Sequence, residues 1–519
     1  MTARPFPASG SARAWRRAGA SILYLVALSP LLQSASAQVI RIKTAPVADG
    51  DQFSFLPSAN LGMANVSIAL ADTVLDPFVN PAKGARVRRS AFFGSPTFFE
   101  VSRDAGGGVT LPVGGFLRSA RSWVGFALAA QELNPSREDV PVAVPEPLSG
   151  GSTFQTIDPG EQSHRNNYLF AMAGHLFERR RLSVAASVNY SGLNMLDGVE
   201  LLYAGSQAVR QSGDEVDLRL GMLKEWRGGS TFEALAVHNR FAMTHDVSYL
   251  DMFWDPGRRT LTGVPRLEYN ADRTKTWGLH LEYERPLGVP GWRIGALLTG
   301  NRISHPSMAS DEITGIPRDE GRSHAYNVGL GISKSRGVST FGADLIFEPI
   351  WSRTWENADE ALVAQGGAPI GVGERIVDNR FRFANAIVRA GLGQDIELDG
   401  AASSLRIQLG LQLRSVQYWL DQWDRVERSG RSRDAQWLEW TRSWGANLRF
   451  SEVEFRYQGR LTSGLGRPGL SQNNGGIFLE GDAPVRFAAP PFGVATVGPP
   501  LMGDVRVTTH QVSVAVPIR

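Results

Sequence analysis

Between Ser404 and Arg414, the residues Leu405, Ile407, Leu409, Leu411 and Leu413 alternate without a break with Arg406, Gln408, Gly410, Gln412 and Arg414. A period of two places the two sets on opposite faces of a strand and excludes a helix, in which apolar residues recur every three to four positions. One face is wholly apolar and the other is polar or glycine. Strands of roughly ten residues with this division are the units of a transmembrane barrel, whose apolar face meets lipid and whose polar face lines a lumen.

The pattern recurs along the chain. In Thr276 to Glu284, Trp277, Leu279, Leu281 and Tyr283 alternate with Gly278, His280, Glu282 and Glu284, and in Glu452 to Leu461, Val453, Phe455, Tyr457 and Leu461 alternate with Glu454, Arg456, Gln458 and Arg460. Similar segments lie near Leu182 to Tyr190, Val216 to Met222, His324 to Ile332 and Phe341 to Phe347. A soluble sandwich also alternates, but its strands usually run about five or six residues and its connections are short at both ends. Here short and long connections take turns. Tight turns are expected near Leu117 to Ala120, Glu178 to Arg180, Arg227 to Ser230, Pro286 to Pro290, Arg336-Gly337, Leu398 to Ala402 and Phe450 to Glu452. Long polar or Pro/Gly-rich loops are expected over Asn134 to Arg165, Ser191 to Asp214, Thr244 to Arg273, His305 to Arg322, Arg353 to Val377, Asp421 to Ala435 and Ser463 to Met502. Short turns at one rim and long loops at the other are the organisation of an outer-membrane barrel.

Seven tight turns join fourteen strands. Asp504 to Pro517 adds one at the C-terminal end, and Thr97 to Arg103, joined through Asp104 to Gly107, makes sixteen; merging the weakest segments gives fourteen. The fold class expected over 96–519 is therefore all-β, an antiparallel transmembrane β-barrel of about 14–16 strands. Aromatic side chains flank one long loop, with Tyr418, Trp419 and Trp423 before it and Trp437, Trp440 and Trp444 after it. Such amphipathic rings suit a girdle at the headgroup level.

The N-terminus supports export. Arg13, Arg16 and Arg17 precede an apolar stretch from Ala18 to Leu32 and then Ala35-Ser36-Ala37, the three parts of a secretory signal peptide, so 1–37 is assigned to it. Past that point no apolar run approaches the roughly twenty residues of a spanning helix, so entry into a membrane would be through strands. The chain has 0 Cys, which excludes disulfides, thiolate metal sites and cysteine nucleophiles. Its 54 basic and 51 acidic residues form no basic stripe, so nucleic acid is not an expected partner. Outer-membrane lipid is, at the surface of a Gram-negative-type cell.

Residues 38–95 do not alternate over barrel length and are assigned to an N-terminal plug, or hatch. The stretch from Ala69 to Gly84 is dense in caps and turns. Asn80 before Pro81 suits an N-cap followed by proline in the first helical turn, where the missing N–H costs nothing. Asp72 suits the cap of a second short turn, with Pro77 expected to terminate it.

Leu61 to Lys83, "LGMANVSIALADTVLDPFVNPAK", resembles the N-terminal signature of the FadL-like outer-membrane proteins at Gly62, Met63, Ala71, Asp72, Asn80, Pro81 and Ala82, and its "NPAK" is similar to the PorV-type relatives. The resemblance implies a barrel of fourteen strands with a hatch to which Gly62, Asp72, Asp76, Asn80 and Pro81 belong. It further implies a hydrophobic, fatty acid-like ligand that passes the barrel passively, or, in the PorV-type branch, secreted proteins as partners.

The lumen-lining side chains expected from the alternation are Arg406, Arg414, Arg456, Arg460, Glu282 and Glu284, together with Asp217, Arg219, Asp344 and Glu348. They suit a network of ion pairs that fixes wall and hatch, and the arginines also suit a ligand carboxylate. An enzyme is the third reading, on His245-Asp246 with Asp251 and Asp255, and on His510. No nucleophile motif, His-Glu-x-x-His or phosphate-binding glycine loop accompanies them. No catalytic residue, metal site or cofactor is expected.

Overall fold

A computed structural model describes residues 39–48, 52–103, 106–134, 140–145, 152–157, 164–199, 208–255, 260–306, 315–317, 320–398, 402–468 and 502–518. The expected signal peptide, 1–37, lies outside the described residues.

Strand β1 comes in two pieces, Ala91–Gly94 and Thr97–Val101, that keep one register across Ser95 and Pro96. It is followed by β2 Gly107–Arg118, β3 Ser122–Asn134, β4 His164–Phe177, β5 Leu182–Leu193, β6 Ala208–Glu225, β7 Thr231–Asp255 and β8 Thr260–Pro286. The second half consists of β9 Trp292–His305, β10 Glu320–Arg336, β11 Ser339–Asn357, β12 Arg375–Glu397, β13 Ala402–Asp424, β14 Ser429–Phe450, β15 Glu454–Pro468 and β16 Met502–Pro517. Each pairs antiparallel with its neighbours in sequence. Closure comes at β1, where Phe92 faces Gly115 of β2 on one side and Val516 of β16 on the other. The wall among the described residues is thus a closed barrel of sixteen strands with no free edge. The fourteen implied by the resemblance is corrected to sixteen, the number reached by counting turns. All seven connections β2–β3, β4–β5, β6–β7, β8–β9, β10–β11, β12–β13 and β14–β15 fall at the expected tight turns.

The long-loop rim differs from expectation. Residues 244–273 and 421–435 are extended ladder for most of their length, with β7 and β8 paired out to Asp255 opposite Thr260 and β13 and β14 out to Asp424 opposite Ser429. Polar composition there leaves the hydrogen-bonded ladder intact.

Facing follows the alternation. Leu128, Leu220, Leu279, Leu298, Leu330, Leu345, Leu392 and Leu409 stand exposed on the outside, and Thr299, Asn327, Asp344, Gln408 and Gln458 are buried on the inside. A continuous exposed leucine surface of this kind is stable under lipid and not under water. The described helices are short and none is long and apolar enough to cross a membrane. They are a 3-10 turn at Leu61–Met63, the α-helix α1 at Asp76–Val79 and a 3-10 helix at Pro81–Arg86, all inside the barrel, and a 3-10 turn at Glu178–Arg180 in the tight turn between β4 and β5.

Candidate functional site

The plug is organised around Asp72. Its carboxylate accepts from Ser58 Oγ at 2.5 Å, from the amides of Ala59 and Asn60 at 2.8 and 3.0 Å, and from the amides of Val74 and Leu75 at 3.1 and 3.0 Å. Two plug segments fourteen residues apart are tied to one carboxyl group. Asn60 adds a second tie, donating to the carbonyls of Val66 and Leu70. The expected ending at Pro77 is corrected: Pro77 stands in the first turn of α1 and opens that helix, where a residue without an N–H loses no bond. Asn80 acts as expected, its Oδ1 accepting from the Ala82 amide at 3.1 Å with Pro81 first in the 3-10 helix.

Wall side chains then take up the plug's backbone. Ser443 accepts from the Ala64 amide at 2.9 Å, Asp344 accepts from the Ser67 amide at 2.9 Å, and Gln408 and Gln458 donate to the carbonyls of Ala59 and Ser58 at 2.8 and 3.0 Å. Buried backbone groups without water must be matched in this way. Close approach needs bare wall: a Cβ on Gly62 would lie 2.9 Å from Gly445 Cα, and one on Gly391 would lie 2.5 Å from the Met63 carbonyl oxygen. Gly410, read as part of the polar face, is one of these seats: a Cβ there would lie 2.3 Å from the Ala64 amide nitrogen.

Charge concentrates where Lys83 of the 3-10 helix Pro81–Arg86 reaches Glu233 of β7, which in turn faces His280 of β8. Lys83 Nζ lies 3.0 Å from Glu233 Oε2 and 3.7 Å from Asp76 Oδ2, and Asn80 Nδ2 donates to the same Glu233 oxygen at 3.3 Å. Glu233 Oε1 faces His280 Nε2 at 3.3 Å, and Glu282 lies 3.7 Å from that nitrogen. Burial pushes the Asp76 carboxyl up to about 7 against the pull of Lys83. Burial also opposes the charge on Lys83, but Asp76 and Glu233 hold its ammonium well above the usual lysine range. Arg219 pairs with Asp217 at 2.7 Å and donates to the Val79 carbonyl at 3.0 Å, and Trp123 Nε1 donates to the Pro81 carbonyl at 3.0 Å.

The remaining lumen-lining residues spread around the wall. Arg414 meets Glu348 at 3.3 Å, Arg456 meets Glu454 at 2.8 Å, Glu284 pairs with Arg293, and Arg406 approaches Asp395 at 3.9 Å and is partly exposed. Arg460 is buried in β15. These arginines do not converge on one point. Gly62, Asp72, Asp76, Asn80 and Pro81 are all buried within the plug.

Towards the long-loop rim the lumen changes character. Phe381, Phe383, Tyr418, Leu420, Ile303 and Ile350 face inward and pack around Ile40 and Ile42 of the plug's leading segment. Phe383 and Tyr418 ring centroids lie 5.2 Å apart, and Trp437 meets Tyr418 edge-on at 6.4 Å. Across the barrel, Phe241, Met243, Val247 and Tyr168 enclose Phe53 and Phe55. On the outside of the same strands, Arg380 and Arg382 are exposed, with side chains 63% and 65% accessible. Of the expected girdle, Trp419, Trp423 and Trp440 point outward, while Tyr418 is buried in the lumen and Trp437 packs against it, a correction that parity explains. Parity also separates His245 from Asp246: His245 is buried on the lumen face with Met243 and Val247, whereas Asp246 pairs in register with Tyr269, which is exposed outside.

The sequence reading missed Glu233, Lys83 and the inward aromatics. Its one available signal was His280-Leu281-Glu282, two ionisable residues on one strand face near a turn.

Among the described residues the site is thus the interior of a plugged, membrane-type β-barrel, with a polar docking belt near the tight turns and an apolar chamber near the long loops. No family model matches the chain, and no curated protein matches it. Among solved structures it is similar to a Pseudomonas aeruginosa FadL homologue, with 10% identity over 91% of this chain and 100% of that one at a TM-score of 0.44. It is also similar to the Pseudomonas putida toluene transporter TodX, with 11% identity over 91% and 99% at a TM-score of 0.38. Both lie below a TM-score of 0.5, and the fold class rests on the chain's own strand register.

Proposed function

We propose that the protein is an outer-membrane transporter through which hydrophobic small molecules of the fatty acid-like class pass passively. The observation that carries this reading is the apolar chamber of Phe381, Phe383, Tyr418, Ile303 and Ile350 around Ile40 and Ile42. A water-filled pore has a polar lumen; an aromatic and aliphatic lining is costly to wet and favourable to cover with hydrocarbon. Ile40 and Ile42 occupy the place an acyl chain would take, so ligand entry exchanges one apolar occupant for another. Arg414, four residues before Tyr418 on the same lumen face, is the guanidinium nearest along that strand to meet a carboxylate head group.

The test is flux of a labelled long-chain fatty acid into liposomes that carry the purified barrel, with Phe383→Asp as the variant. Saturable, protein-dependent flux that falls at least fivefold in the variant supports the reading. Flux equal to that of empty liposomes overturns it.

A second reading is favoured by one observation, the hairpin formed by β7 and β8, which stays paired from Thr231–Glu284 to Asp255–Thr260 and so rises well past bilayer height. It suits a docking arm for secreted proteins, as in the PorV-type resemblance. Capture of a secreted protein that is lost on shortening residues 247–267, with fatty acid flux unchanged, would favour it over transport.

A further inference from the structure

The charged knot beneath the plug contains an arrangement that transport does not require. Glu233 of β7 and Glu282 of β8 are directly opposite in register, both facing the lumen. Like charges in that position repel, and do so most strongly where water is excluded. One ammonium, on Lys83, is shared by Asp76 and Glu233, and it sits on Glu233 Oε2. The other oxygen, Oε1, is turned away from Lys83 towards His280. His280 is held from behind: its Nδ1 meets the Thr299 hydroxyl at 2.7 Å, which aims Nε2 at the space between the two carboxylates. A ring nitrogen fixed by a partner on its far side is the usual preparation of a metal-binding histidine.

We propose that Glu233, His280 and Glu282 bind one divalent transition-metal ion of the zinc type, seated where the plug docks on the wall. The three donor atoms lie within 4.8 Å of one another, and the two measured separations from His280 Nε2 are 3.3 and 3.7 Å. Ligand bonds of about 2.0–2.2 Å in tetrahedral geometry require donor separations of about 3.3–3.6 Å. An imidazole with two carboxylates selects zinc-like ions over magnesium and calcium, which prefer all-oxygen sites. The ion relieves the Glu233–Glu282 repulsion, and it fixes the carboxylate that Asn80 and Lys83 of the plug grip. Metal occupancy and plug docking are therefore coupled through Glu233.

The experiment uses the full-length barrel in detergent, stripped with chelator and titrated with zinc by calorimetry, with metal content measured after dialysis. About one zinc per chain is expected, bound at least tenfold more weakly by His280→Gln and Glu282→Gln. Thermal unfolding provides the second readout. Zinc is expected to raise the midpoint of the parent and leave that of Glu282→Gln unmoved, while magnesium or calcium at the same concentration moves neither. Glu282→Gln also removes the like-charge pair, so without metal it is expected to be at least as stable as the parent, which guards against loss of binding by misfolding. Less than a tenth of a zinc per chain in the parent, equal binding by both variants, or an equal response to magnesium would each overturn the proposal.

Discussion

The two halves of the lumen solve the problem of an enclosed plug in opposite ways. Near the tight turns the wall offers ions, amides and bare glycine to a plug held through its backbone, as Ser443, Asp344 and Gln408 show. Near the long loops it offers Phe381, Phe383 and Phe241 to a plug held through Ile40, Ile42, Phe53 and Phe55. Hydrogen bonds and ion pairs are directional and fix one position, whereas apolar contact is not and tolerates exchange of occupant. The upper half keeps some directional ties, the Ile40 amide donating to Asn301 at 2.7 Å and Lys43 pairing with Glu439 at 3.0 Å, but apolar contact makes up more of its hold on the plug than in the lower half.

The comparison breaks first, and hardest, at Lys83. Replacing it with Met leaves Asp76, Glu233 and Glu282 facing one another without an ammonium, and breaking a buried pair in this way costs roughly 3–5 kcal/mol. The plug of Lys83→Met is expected to become accessible to protease while the closed barrel still resists heat in detergent gels. A plug as protected as the parent's would show that the lower half is not held by charge.

Phe383→Ala probes the upper half. Truncating a buried aromatic costs about 3 kcal/mol, spent here on the contact with Ile40, Ile42 and Tyr418. Protease cleavage is expected to begin before residue 52 and to spare the segment around Asp72, so the two halves come apart in sequence. Simultaneous cleavage at both places would show the plug to be one cooperative unit.

The outer chamber also shows how far the sequence could be read. Alternation and turn residues are local, so strand count and the seven tight turns were legible, as was the cap at Asn80. What alternation does not reveal is which face is wet. Through the leucine belt apolar residues point outward, but at Arg380-Phe381-Arg382-Phe383 the same period runs with its phase reversed, charges outside and aromatics inside. That reversal marks where the wall leaves lipid and stands in water, and it begins just past the loop expected over Arg353 to Val377, where alternation by itself carries no sign of it. The charged knot was half visible in His280 and Glu282; Glu233 and Lys83 reach it from β7 and from the plug, and no local pattern links residues so far apart.

A smaller effect follows from Asp76. Its carboxyl, raised by burial from 3.8 to about 7, keeps a proton in the docked plug that it gives up when the plug is released. Docking is therefore favoured by protonation: it is strongest below about pH 4 and weakens as pH rises through 7. Lys83, Glu233, Glu282 and Asp72 face Asp76, so the measurement compares the parent with Asp76→Asn, with chelator present. The protease protection of the parent is expected to fall between pH 5 and pH 8, and that of Asp76→Asn to stay nearly level. A parent without slope would place the Asp76 charge in a better-solvated setting than its burial implies.

The smallest effect, at Asn80, separates two roles in one side chain. Its Oδ1 caps the Pro81–Arg86 helix through the Ala82 amide, and its Nδ2 donates to Glu233. Asn80→Ala removes both, and loss of the cap alone is worth about 1 kcal/mol. Asn80→Asp keeps an oxygen for the cap but turns a carboxylate towards Glu233, adding to a cluster already short of positive charge. If the cap is the residue's main work, Asp restores the plug protection that Ala loses. If the bond to Glu233 matters as much, Asp is worse than Ala, and single-channel conductance, which rises as the plug loosens, is expected to follow the order parent, Ala, Asp. That order is the one the lower half of the lumen requires, because there a plug residue is judged by the charge it faces.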